Sequence, residues 1–363
     1  ISKIIIRRLG KIMHGKIVKI GNRKIGIDEP VFIIAEAGVN HNGDIELAKK
    51  LIDIAKEAGA DAVKFQTFKA ENINTKTAPK STYHIETTGA EQSWYDLLKT
   101  QELDRKSHEI LIEHCLKVGI IFLSTPYDEE SADLLEELNI PCFKIASTDA
   151  NNIPFLQYVA RKNHPIILST AMCTLEEVRE SVKSIQDEGC KDLILLHCTA
   201  NYPAMLKDTN LRAMLTIKKK FNTLVGYSDH APDNINPIAA TALGAVVYEK
   251  HFTLDKNLPG PDHRSSLSPE ELRQFVQDIR QTELALGSAT KEPAESEREN
   301  RKKLRKSVVT KADILPGTVI TREMLATKRP GTGLALRYMN AIIGKRTNTL
   351  IKKDSVIQLE HFE

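Results

Sequence analysis

The chain has 363 residues, of which 41% are hydrophobic and 27% charged, and its formal net charge at pH 7 is only +3. A barrel of about 250 residues with one small additional domain fits this length. The small, dispersed charge gives no basis for nucleic-acid binding, and the apolar patch in the N-terminal ISKIIIRRLGKIM is too short for a membrane span. We therefore expect neither nucleic acid nor membrane as a partner.

The first 30 residues are predicted to form an extension and a β-hairpin. The chain begins with Ile1, and we expect Met13 to be the native start, with residues 1–12 upstream of it. Residues 14–30 alternate apolar and polar side chains around a Gly-Asn pair, which is typical of a hairpin. Such a hairpin would cap either the entrance or the floor of a barrel.

Eight short apolar segments follow within residues 31–286, and each ends in polar residues. They are VFIIAEAGVNHNG (31–43), DAVKFQT (61–67), IIFLSTPYD (120–128), CFKIASTD (142–149), PIILSTAM (165–172), DLILLHCTANYP (192–203), TLVGYSDH (223–230) and AVVYEKHFTLD (245–255). Because strands alternate with predicted helices, the fold class is α/β, a (β/α)8 TIM barrel.

The barrel helices are predicted from amphipathic segments with start signals. They span 44–58, 104–118, 129–138, 174–188 and 268–286, with a capping box at Thr174 and Glu177 and a cap at Ser268 ahead of a first-turn proline. The long insertion 69–98 separates the second strand from its helix. A loop of this length at the catalytic face is expected to shape the substrate pocket.

Beyond the barrel, the composition predicts a linker and a second domain. Residues 287–306 are charged and almost free of large apolar side chains, which suits a linker, or a solvated helix in their second half. Residues 307–363 are short and turn-rich and predict a small β-rich domain that is marginal alone. Five cysteines without a CxxC spacing indicate reduced thiols and a cytoplasmic protein.

In a barrel of this kind the active site lies just past the C-terminal ends of the strands. Polar residues at these positions include Lys64 and Lys144 within apolar strands, the carboxylates Glu36 and Asp149, and several hydroxyl side chains. Buried lysines need anionic partners. The lysines and hydroxyls therefore predict a cradle for phosphate and carboxylate groups, and the two carboxylates are candidates for proton transfer.

Two histidines, His230 and His251, end the last two predicted strands, which are neighbours in a closed barrel. Imidazoles on adjacent strand ends can bind one divalent metal and leave coordination positions for substrate and water. A hydrogen-bonding role without metal is the simpler alternative for each histidine taken alone.

At IAEAGVNHNG, KFQ, FKIASTD, SDH and EKHFTLDKNLPGPDH, the chain resembles the sialic acid synthase family, which includes N-acetylneuraminate, legionaminic acid and pseudaminic acid synthases. SVVTKADILPGTVI and KRPGTG resemble the antifreeze-like SAF domain of that family. The resemblance covers about residues 14 to 360. It implies a metal-dependent condensation of phosphoenolpyruvate with an open-chain N-acetylated hexosamine, giving a nine-carbon α-keto acid and phosphate.

The resemblance also implies roles for individual residues. The expected set is His230 and His251 for a divalent metal, Mn²⁺ before Mg²⁺ or Co²⁺; Lys64, Thr125, Lys144, Ser147, Ser169 and Ser228 for phosphoenolpyruvate; Gln66, Tyr202, Asp262 and Arg329 for the sugar; and Asp149 and Glu36 for catalysis. Many bacterial members carry glutamate at the position of Asp149. The family further implies a domain-swapped homodimer in which Arg329 reaches the partner's site.

Two alternatives remain at this point. A Schiff-base aldolase or lyase on the same barrel would use Lys144 or Lys250 as the amine. A non-catalytic carbohydrate- or ice-binding protein would be built around the C-terminal domain. The acceptor sugar is also open, since N-acetylmannosamine and the diacetamido-trideoxyhexoses differ at positions read by loops 69–98 and 259–268.

Overall fold

The computed structural model describes residues 15–362. The predicted extension 1–12 and the expected start at Met13 lie outside these residues. The chain divides into two compact units, one ending at Gly287 and the other beginning at Ser288. Residues 288–306 of the segment predicted as a linker therefore belong to the second unit.

The first unit contains a hairpin and an eight-stranded parallel sheet. The hairpin strands are β1 (Val18–Ile20) and β2 (Arg23–Ile25), and the sheet strands are β3 (Phe32–Gly38), β4 (Ala62–Thr67), β5 (Ile121–Pro126), β6 (Phe143–Ile145), β7 (Ile166–Ser169), β8 (Leu193–Cys198), β9 (Leu224–Asp229) and β10 (Val247–His251). Their order is β5-β4-β3-β10-β9-β8-β7-β6. The sheet is a nearly closed barrel, and the predicted fold class is confirmed.

Helices surround this sheet. They are α1 (Ile45–Ala58), α2 (Ala70–Ile73), α3 (Thr82–Thr88), α4 (Trp94–Lys99), α5 (Arg105–Val118), α6 (Glu129–Glu137), α7 (Ile153–Ala160), α8 (Leu175–Asp187), α9 (Ala213–Phe221), α10 (Ile235–Ala242) and α11 (Pro269–Leu286). The capping boxes of Thr174 with Glu177 and of Ser268 with Glu271 form as their local sequences require. None of the helices described in residues 15–362 is long and apolar enough to cross a membrane.

The hairpin closes the floor of the barrel. Its apolar residues Val18, Ile20 and Ile25 pack in one cluster with interior side chains such as Phe32 and Leu224, which begin their strands. Burying a side chain of this size stabilises the fold by about 1.5–3 kcal/mol. The N-terminal ends of the strands are thus sealed by apolar packing, and the polar C-terminal ends form the open face.

The insertion after β4 is structured. Ser81 and Ser93 cap the short helices α3 and α4 by accepting from backbone N–H groups. The side chains that fix the insertion form a small core of Val39, Phe68, Ala70 and Leu98, with Ile73, Trp94, Tyr95 and Tyr127 packed against it. The predicted long loop is therefore a packed wall at the catalytic end of the barrel.

The second unit has its own core. After the exposed helix α12 (Arg298–Leu304), strands β11 (Ser307–Thr310) and β12 (Leu325–Lys328) pair antiparallel, and a short helix α13 (Met339–Ile342) follows. The core consists of Val308, Ile314, Ile320, Leu325, Leu334, Met339, Ile342, Ile351 and Ile357. Helix α12 lies where the sequence allowed a solvated helix in the second half of 287–306.

Candidate active site

Alternation along the strands decides which side chains enter the barrel. On β4, Lys64 and Gln66 face inward, and on β10, Glu249 and His251 do so, while Lys250 between them does not. The inner faces thus change from apolar near the floor to polar at the C-terminal ends. This change creates a polar cavity above the barrel core.

The inner cavity, as we name it, has a volume of about 260 Å³. It brings together most of the site residues expected from the sequence: Glu36, Lys64, Gln66, Thr125, Lys144, Ser147, Ser169, Tyr202, Ser228, His230 and His251. These residues come from all eight barrel strands or the loops directly after them. The clustering agrees with the expectation that the strand ends form one site.

Two lysines and two carboxylates form the charged part of the inner cavity. Lys64 Nζ lies 2.7 Å from Glu36 Oε2 and 3.8 Å from Glu249 Oε2, and Lys144 Nζ lies 3.3 Å from Glu249 Oε1. All four side chains are at most 7% exposed. Each lysine has an anionic partner, as burial of a charge requires.

Hydroxyl groups complete this network. Lys64 donates to Thr125 Oγ1 at 2.9 Å and Lys144 donates to Ser169 Oγ at 2.8 Å, while Ser228 donates to Glu249 at 2.9 Å. Ammonium and hydroxyl donors therefore converge on the cavity, and such a donor set suits a phosphate or carboxylate ligand.

The charges shift one another's protonation. Burial raises the pKa of Glu36, and the charge of Lys64 only partly offsets this effect. Burial opposes ionisation of Glu249 too, but Lys144 and Lys64 outweigh it and lower its pKa. Burial lowers the pKa of Lys144, although Glu249 works in the other direction. Glu36 is thus the carboxyl more easily protonated in this pair.

Glu249 was missed by the sequence analysis, which noted Lys250 at this strand end. Lys250 instead binds Asp229 at 2.6 Å, in a buried pair that does not line the inner cavity. The sequence contained a signal that could have identified Glu249. Side chains alternate along a strand, so an inward His251 requires an inward Glu249. Tyr127, which follows β5, was missed as well, and it lines the cavity.

His230 and His251 lie close enough to share a ligand, with ring centroids 5.7 Å apart. His230 Nδ1 is 2.7 Å from the carbonyl oxygen of Thr199, so this nitrogen carries the proton and donates. Its Nε2 then presents a lone pair, 2.9 Å from the hydroxyl of Tyr202. His251 Nδ1 is buried and has no hydrogen-bond partner among the described residues.

This donor set fits a divalent metal with two protein ligands. The Nδ1 hydrogen bond of His230 is the kind of contact that orients a metal-binding imidazole, and burial lowers its pKa to about 4, which keeps the ring neutral. Within residues 15–362, no cluster of three or more His, Cys, Asp or Glu side chains could hold an ion. Any ion bound here would depend on substrate or water for its other ligands.

A second cavity, the outer cavity, has a volume of about 530 Å³. Both cavities are lined by Gln66, Tyr127, Thr148, Tyr202 and His251, so they adjoin each other. Asp149 and Asp262 line only the outer cavity. The predicted catalytic carboxylates are therefore divided, with Glu36 at the inner cavity and Asp149 at the outer one.

The two outer carboxylates differ in their contacts. Asp149 accepts from Asn152 Nδ2 at 3.1 Å and from Thr148 Oγ1 at 3.3 Å. The carboxylate of Asp262 has no partner within residues 15–362, and burial raises its pKa to about 6. An unpaired acceptor facing a cavity of this size is suited to the hydroxyl or amide donors of a ligand.

Arg329 belongs to the second unit. Its side chain is exposed, and its Nε donates to the carbonyl of Leu304 at 3.0 Å. Its other guanidinium nitrogens make no hydrogen bond or ion pair with any residue in the described range 15–362. The planar donor face of Arg329 is thus available to a carbonyl or carboxylate.

Comparison with known proteins gives two family matches. The sequence profile described as the NeuB family matches residues 51–291, and that of the SAF domain matches residues 305–363. An N,N'-diacetyllegionaminic acid synthase from Legionella pneumophila is 45% identical over 352 residues, covering 94% of this chain and 99% of the relative. The human N-acetylneuraminate-9-phosphate synthase is 36% identical, covering 93% and 94%.

Solved structures agree with these matches. The spore coat polysaccharide biosynthesis protein SpsE of Bacillus subtilis is 38% identical, with a TM-score of 0.66, and the alignment covers 96% of this chain and 99% of that protein. The N-acetylneuraminic acid synthetase of Leptospira borgpetersenii is 36% identical, with a TM-score of 0.69 and coverage of 78% and 95%.

Proposed function

The chain belongs to the NeuB family, and from this premise we propose that it condenses phosphoenolpyruvate with an open-chain N-acetylated hexosamine and water. The products are a nine-carbon α-keto acid and phosphate. One observation carries the proposal: a cavity lined by two lysines and several hydroxyls adjoins a second cavity whose described lining has no lysine or arginine and includes the carboxylate of Asp262, and His251 lines both. Since relatives that match nearly the whole chain are named synthases, the chain is an enzyme, which argues against the non-catalytic alternative.

The inner cavity is proposed to hold phosphoenolpyruvate. Lys64 and Lys144 with Thr125, Ser169 and Ser228 present the donors that its phosphate and carboxylate need, and Ser147 extends the set. Holding the ligand rigidly against the acceptor aldehyde supplies much of the rate enhancement by alignment.

The reaction needs no side-chain nucleophile. Carbon 3 of phosphoenolpyruvate attacks the aldehyde carbon, and the aldehyde oxygen takes up a proton. Water adds to carbon 2, loses its proton to a carboxylate, and the bond from carbon 2 to the phosphate oxygen breaks as phosphate leaves. Glu36 lines the cavity that would hold carbon 2 and is proposed to receive this proton. Asp149, on the outer side, is proposed to orient the acceptor.

His230 and His251 are proposed to hold a divalent metal, Mn²⁺ before Mg²⁺ or Co²⁺, at the junction of the cavities. When bound, such an ion supplies Lewis-acid polarisation of the acceptor carbonyl. The chain's own part is to orient His230 through Thr199, and to place Gln66, Tyr202 and Asp262 around the sugar.

The direct test is phosphate release. Purified protein with phosphoenolpyruvate, Mn²⁺ and a panel of N-acetylated sugars is expected to release phosphate and form a keto acid in equal amounts with at least one sugar. Release without keto acid, or with no sugar added, would contradict the proposal.

A Schiff-base aldolase is the second candidate, and the environment of Lys144 favours it. This lysine is buried, lines the inner cavity and has a lowered pKa because of burial, which are features of a reactive amine. Borohydride reduction with pyruvate separates the two functions, since only the aldolase gives a covalent adduct. Lys250 is a poor candidate for the amine because Asp229 pairs with it outside the cavity.

Sugar binding is expected to weaken at acidic pH. Because burial raises the pKa of Asp262 to about 6, this carboxyl is ionised at pH 7 and becomes protonated as the pH falls through 6. If only the carboxylate binds the sugar, the KM for the sugar at pH 5 rises about tenfold. The measurement is KM between pH 5 and 8, and the Asp262→Asn variant should lack the acidic rise. A rise of equal size in that variant would remove Asp262 from this role.

The active unit is proposed to be a homodimer in which Arg329 of one chain serves the site of the other. Two features support this. The guanidinium of Arg329 is exposed, and its donors other than Nε have no partner among residues 15–362. A unit as small as the second one also buries a smaller fraction of its surface than a larger domain does, which favours docking on a partner surface. The family resemblance supplies the expected arrangement, and Arg329 is suited to an amide carbonyl.

Complementation between variants tests this arrangement. Chains with Arg329→Ala and chains with Asp149→Ala are each expected to be nearly inactive. If each Arg329 serves the partner's barrel, a mixed dimer has one site that carries both substitutions and one site that is intact. Random mixing makes about half of the dimers mixed, so activity should return to about a quarter of wild type. If activity does not recover although the subunits are shown to have exchanged, the proposal that Arg329 acts in the partner's site is contradicted.

A further inference from the structure

We propose that the outer cavity, through the apolar side chains of segment 69–98 and the carboxylates of Asp149 and Asp262, makes the enzyme selective for an uncharged acceptor with a methyl group at its distal end and excludes sugar 6-phosphates. The inference rests on the proposed function and concerns the outer cavity. Its support is the charge of the cavity lining, the apolar wall, and the amide group beside it.

The charge of the outer cavity opposes a phosphate. Among its described lining residues there is no lysine or arginine, whereas Asp149 and Asp262 contribute two carboxylates. His84 also lines it, stacked on Trp94 with ring centroids 4.3 Å apart. Burial, followed by the charge of Lys80, lowers the pKa of His84, so this ring brings no positive charge at neutral pH. A phosphate dianion placed here would face two carboxylates and no lysine or arginine of this lining, and the Arg329 proposed to come from the partner subunit would be engaged by the amide carbonyl of the sugar.

The human relative provides a chemical contrast. Its name, N-acetylneuraminate-9-phosphate synthase, states a phosphorylated product. Condensation adds three carbons to the aldehyde end of a hexose, so carbon 9 of that product is carbon 6 of the acceptor. An enzyme of that specificity requires a phosphate-binding group at the distal end of its sugar site, and the described lining of this outer cavity contains no lysine or arginine that could serve as one.

One wall of the outer cavity is apolar. It consists of Val39, Phe68, Ile73, Trp94 and Leu98. Ile73 ends α2, and Trp94 and Leu98 belong to α4. Leu98 is buried against Phe68 and Ala70, which holds the two helices in place. The wall is therefore a packed surface, formed by Ile73, Trp94 and Leu98 of the insertion together with Val39 and Phe68, and not a loose loop.

The position of the apolar wall determines which end of the sugar would contact it. The aldehyde end must lie at the junction of the cavities, beside His251 and Tyr202. Ile73, Trp94 and Leu98 line the outer cavity and not the inner one. A hexose that extends outward from the junction thus brings carbon 6 toward this wall. A methyl group gains apolar burial there, and a hydroxyl without a partner loses hydrogen bonds to water.

An amide side chain beside the wall suits an acetamido group. Asn74 lines the same cavity, and its side chain makes no hydrogen bond to another residue described in 15–362. A carboxamide of this kind can both donate to and accept from an acetamido group. Asp262 adds an unpaired acceptor. These groups, with the wall, favour a diacetamido-trideoxyhexose over N-acetylmannosamine. The names of the relatives from Legionella pneumophila and Campylobacter jejuni point to the same class of acceptor.

The test compares kcat/KM for 2,4-diacetamido-2,4,6-trideoxymannose, N-acetylmannosamine and N-acetylmannosamine 6-phosphate. For the wild-type enzyme we expect N-acetylmannosamine to be about 10- to 100-fold poorer than the trideoxy sugar. The 6-phosphate should be poorer still. The variant Ile73→Asn should reduce the preference for the methyl-bearing sugar about tenfold, because the half-buried wall position becomes polar.

A variant that adds a positive charge to the outer cavity tests whether use of the 6-phosphate can be increased. Asn74→Lys places a cation in the cavity and should raise kcat/KM for the 6-phosphate at least about tenfold, while Thr75→Lys, at an exposed neighbouring position outside the cavity lining, should not. Absence of phosphate release with all three sugars would contradict the proposed function itself. Turnover with equal or better use of the 6-phosphate, or an unchanged preference in Ile73→Asn, would overturn only the selectivity assigned here.

Discussion

Replacing His251 with alanine is expected to lower turnover about a thousandfold and to abolish high-affinity binding of Mn²⁺. Chelation of the wild-type enzyme should have the same effect, reversed by added Mn²⁺. The reason is that the described residues offer only two imidazoles for the ion, so losing one leaves a single protein ligand. Polarisation of a carbonyl by a bound metal contributes several kcal/mol, and each 1.4 kcal/mol corresponds to a factor of ten.

Metal content by elemental analysis and turnover should be measured on the same samples. His114→Ala is the matched control, because His114 lies on the barrel's outer helix α5, where it pairs with Asp53. This variant should keep both metal and activity. Full activity in chelator-treated wild-type enzyme, or normal Mn²⁺ binding by the His251→Ala variant, would refute the assignment.

Replacing Lys144 with methionine is expected to reduce kcat/KM for phosphoenolpyruvate at least about 100-fold, with a smaller effect on the KM for the sugar. Lys144 is one of two cations in the inner cavity, and each charge-assisted hydrogen bond to an anionic ligand is worth about 1.5–3 kcal/mol. The change also leaves Glu249 without its partner at 3.3 Å. Because Lys64 and Ser228 still contact Glu249, the free energy of unfolding should fall by less than the roughly 3–5 kcal/mol expected when a buried charge is left unpaired.

The variant Lys144→Arg distinguishes a lysine that binds the anionic groups of phosphoenolpyruvate from one that reacts as an amine. Arginine keeps the positive charge and the donors but cannot form a Schiff base, so partial activity is expected for the synthase and none for an aldolase. Lys49→Met, at an exposed pair with Glu46, is the control and should behave as wild type. Loss of activity in Lys144→Arg together with a borohydride-trapped adduct would favour the aldolase.

Local signals in the sequence were sufficient to predict the helices and strands of the barrel. Thr174 and Ser268 start their helices because a capping box involves only residues three apart. The eight strands were recognisable because each apolar segment ends in polar residues, which reflects a buried strand with a solvent-facing C-terminal end. The residues at those ends, including Lys64 and His251, were therefore identified as one site before their distances were known.

The sequence could not decide features that depend on contacts between distant segments. The hairpin fitted either end of the barrel, and only its packing against Phe32 and Leu224 places it at the floor. Lys144 and Glu249 are 105 residues apart in the chain. They lie on β6 and β10, which are not neighbours in the sheet order, so their pairing depends on the curvature of the barrel. The separation of Glu36 from Asp149 into two cavities likewise depends on loop conformations.

The sequence by itself determined the class of fold, the order of its elements and the chemical types of side chain at the catalytic face. These follow from alternation, capping and the boundaries of apolar segments, which are properties of neighbouring residues. Tertiary structure alone decided which charges are paired, as with Lys250 and Asp229, and which apolar side chains line the outer cavity. Those outcomes depend on burial and on distances between segments, because the energy of a charge or methyl group depends on what surrounds it.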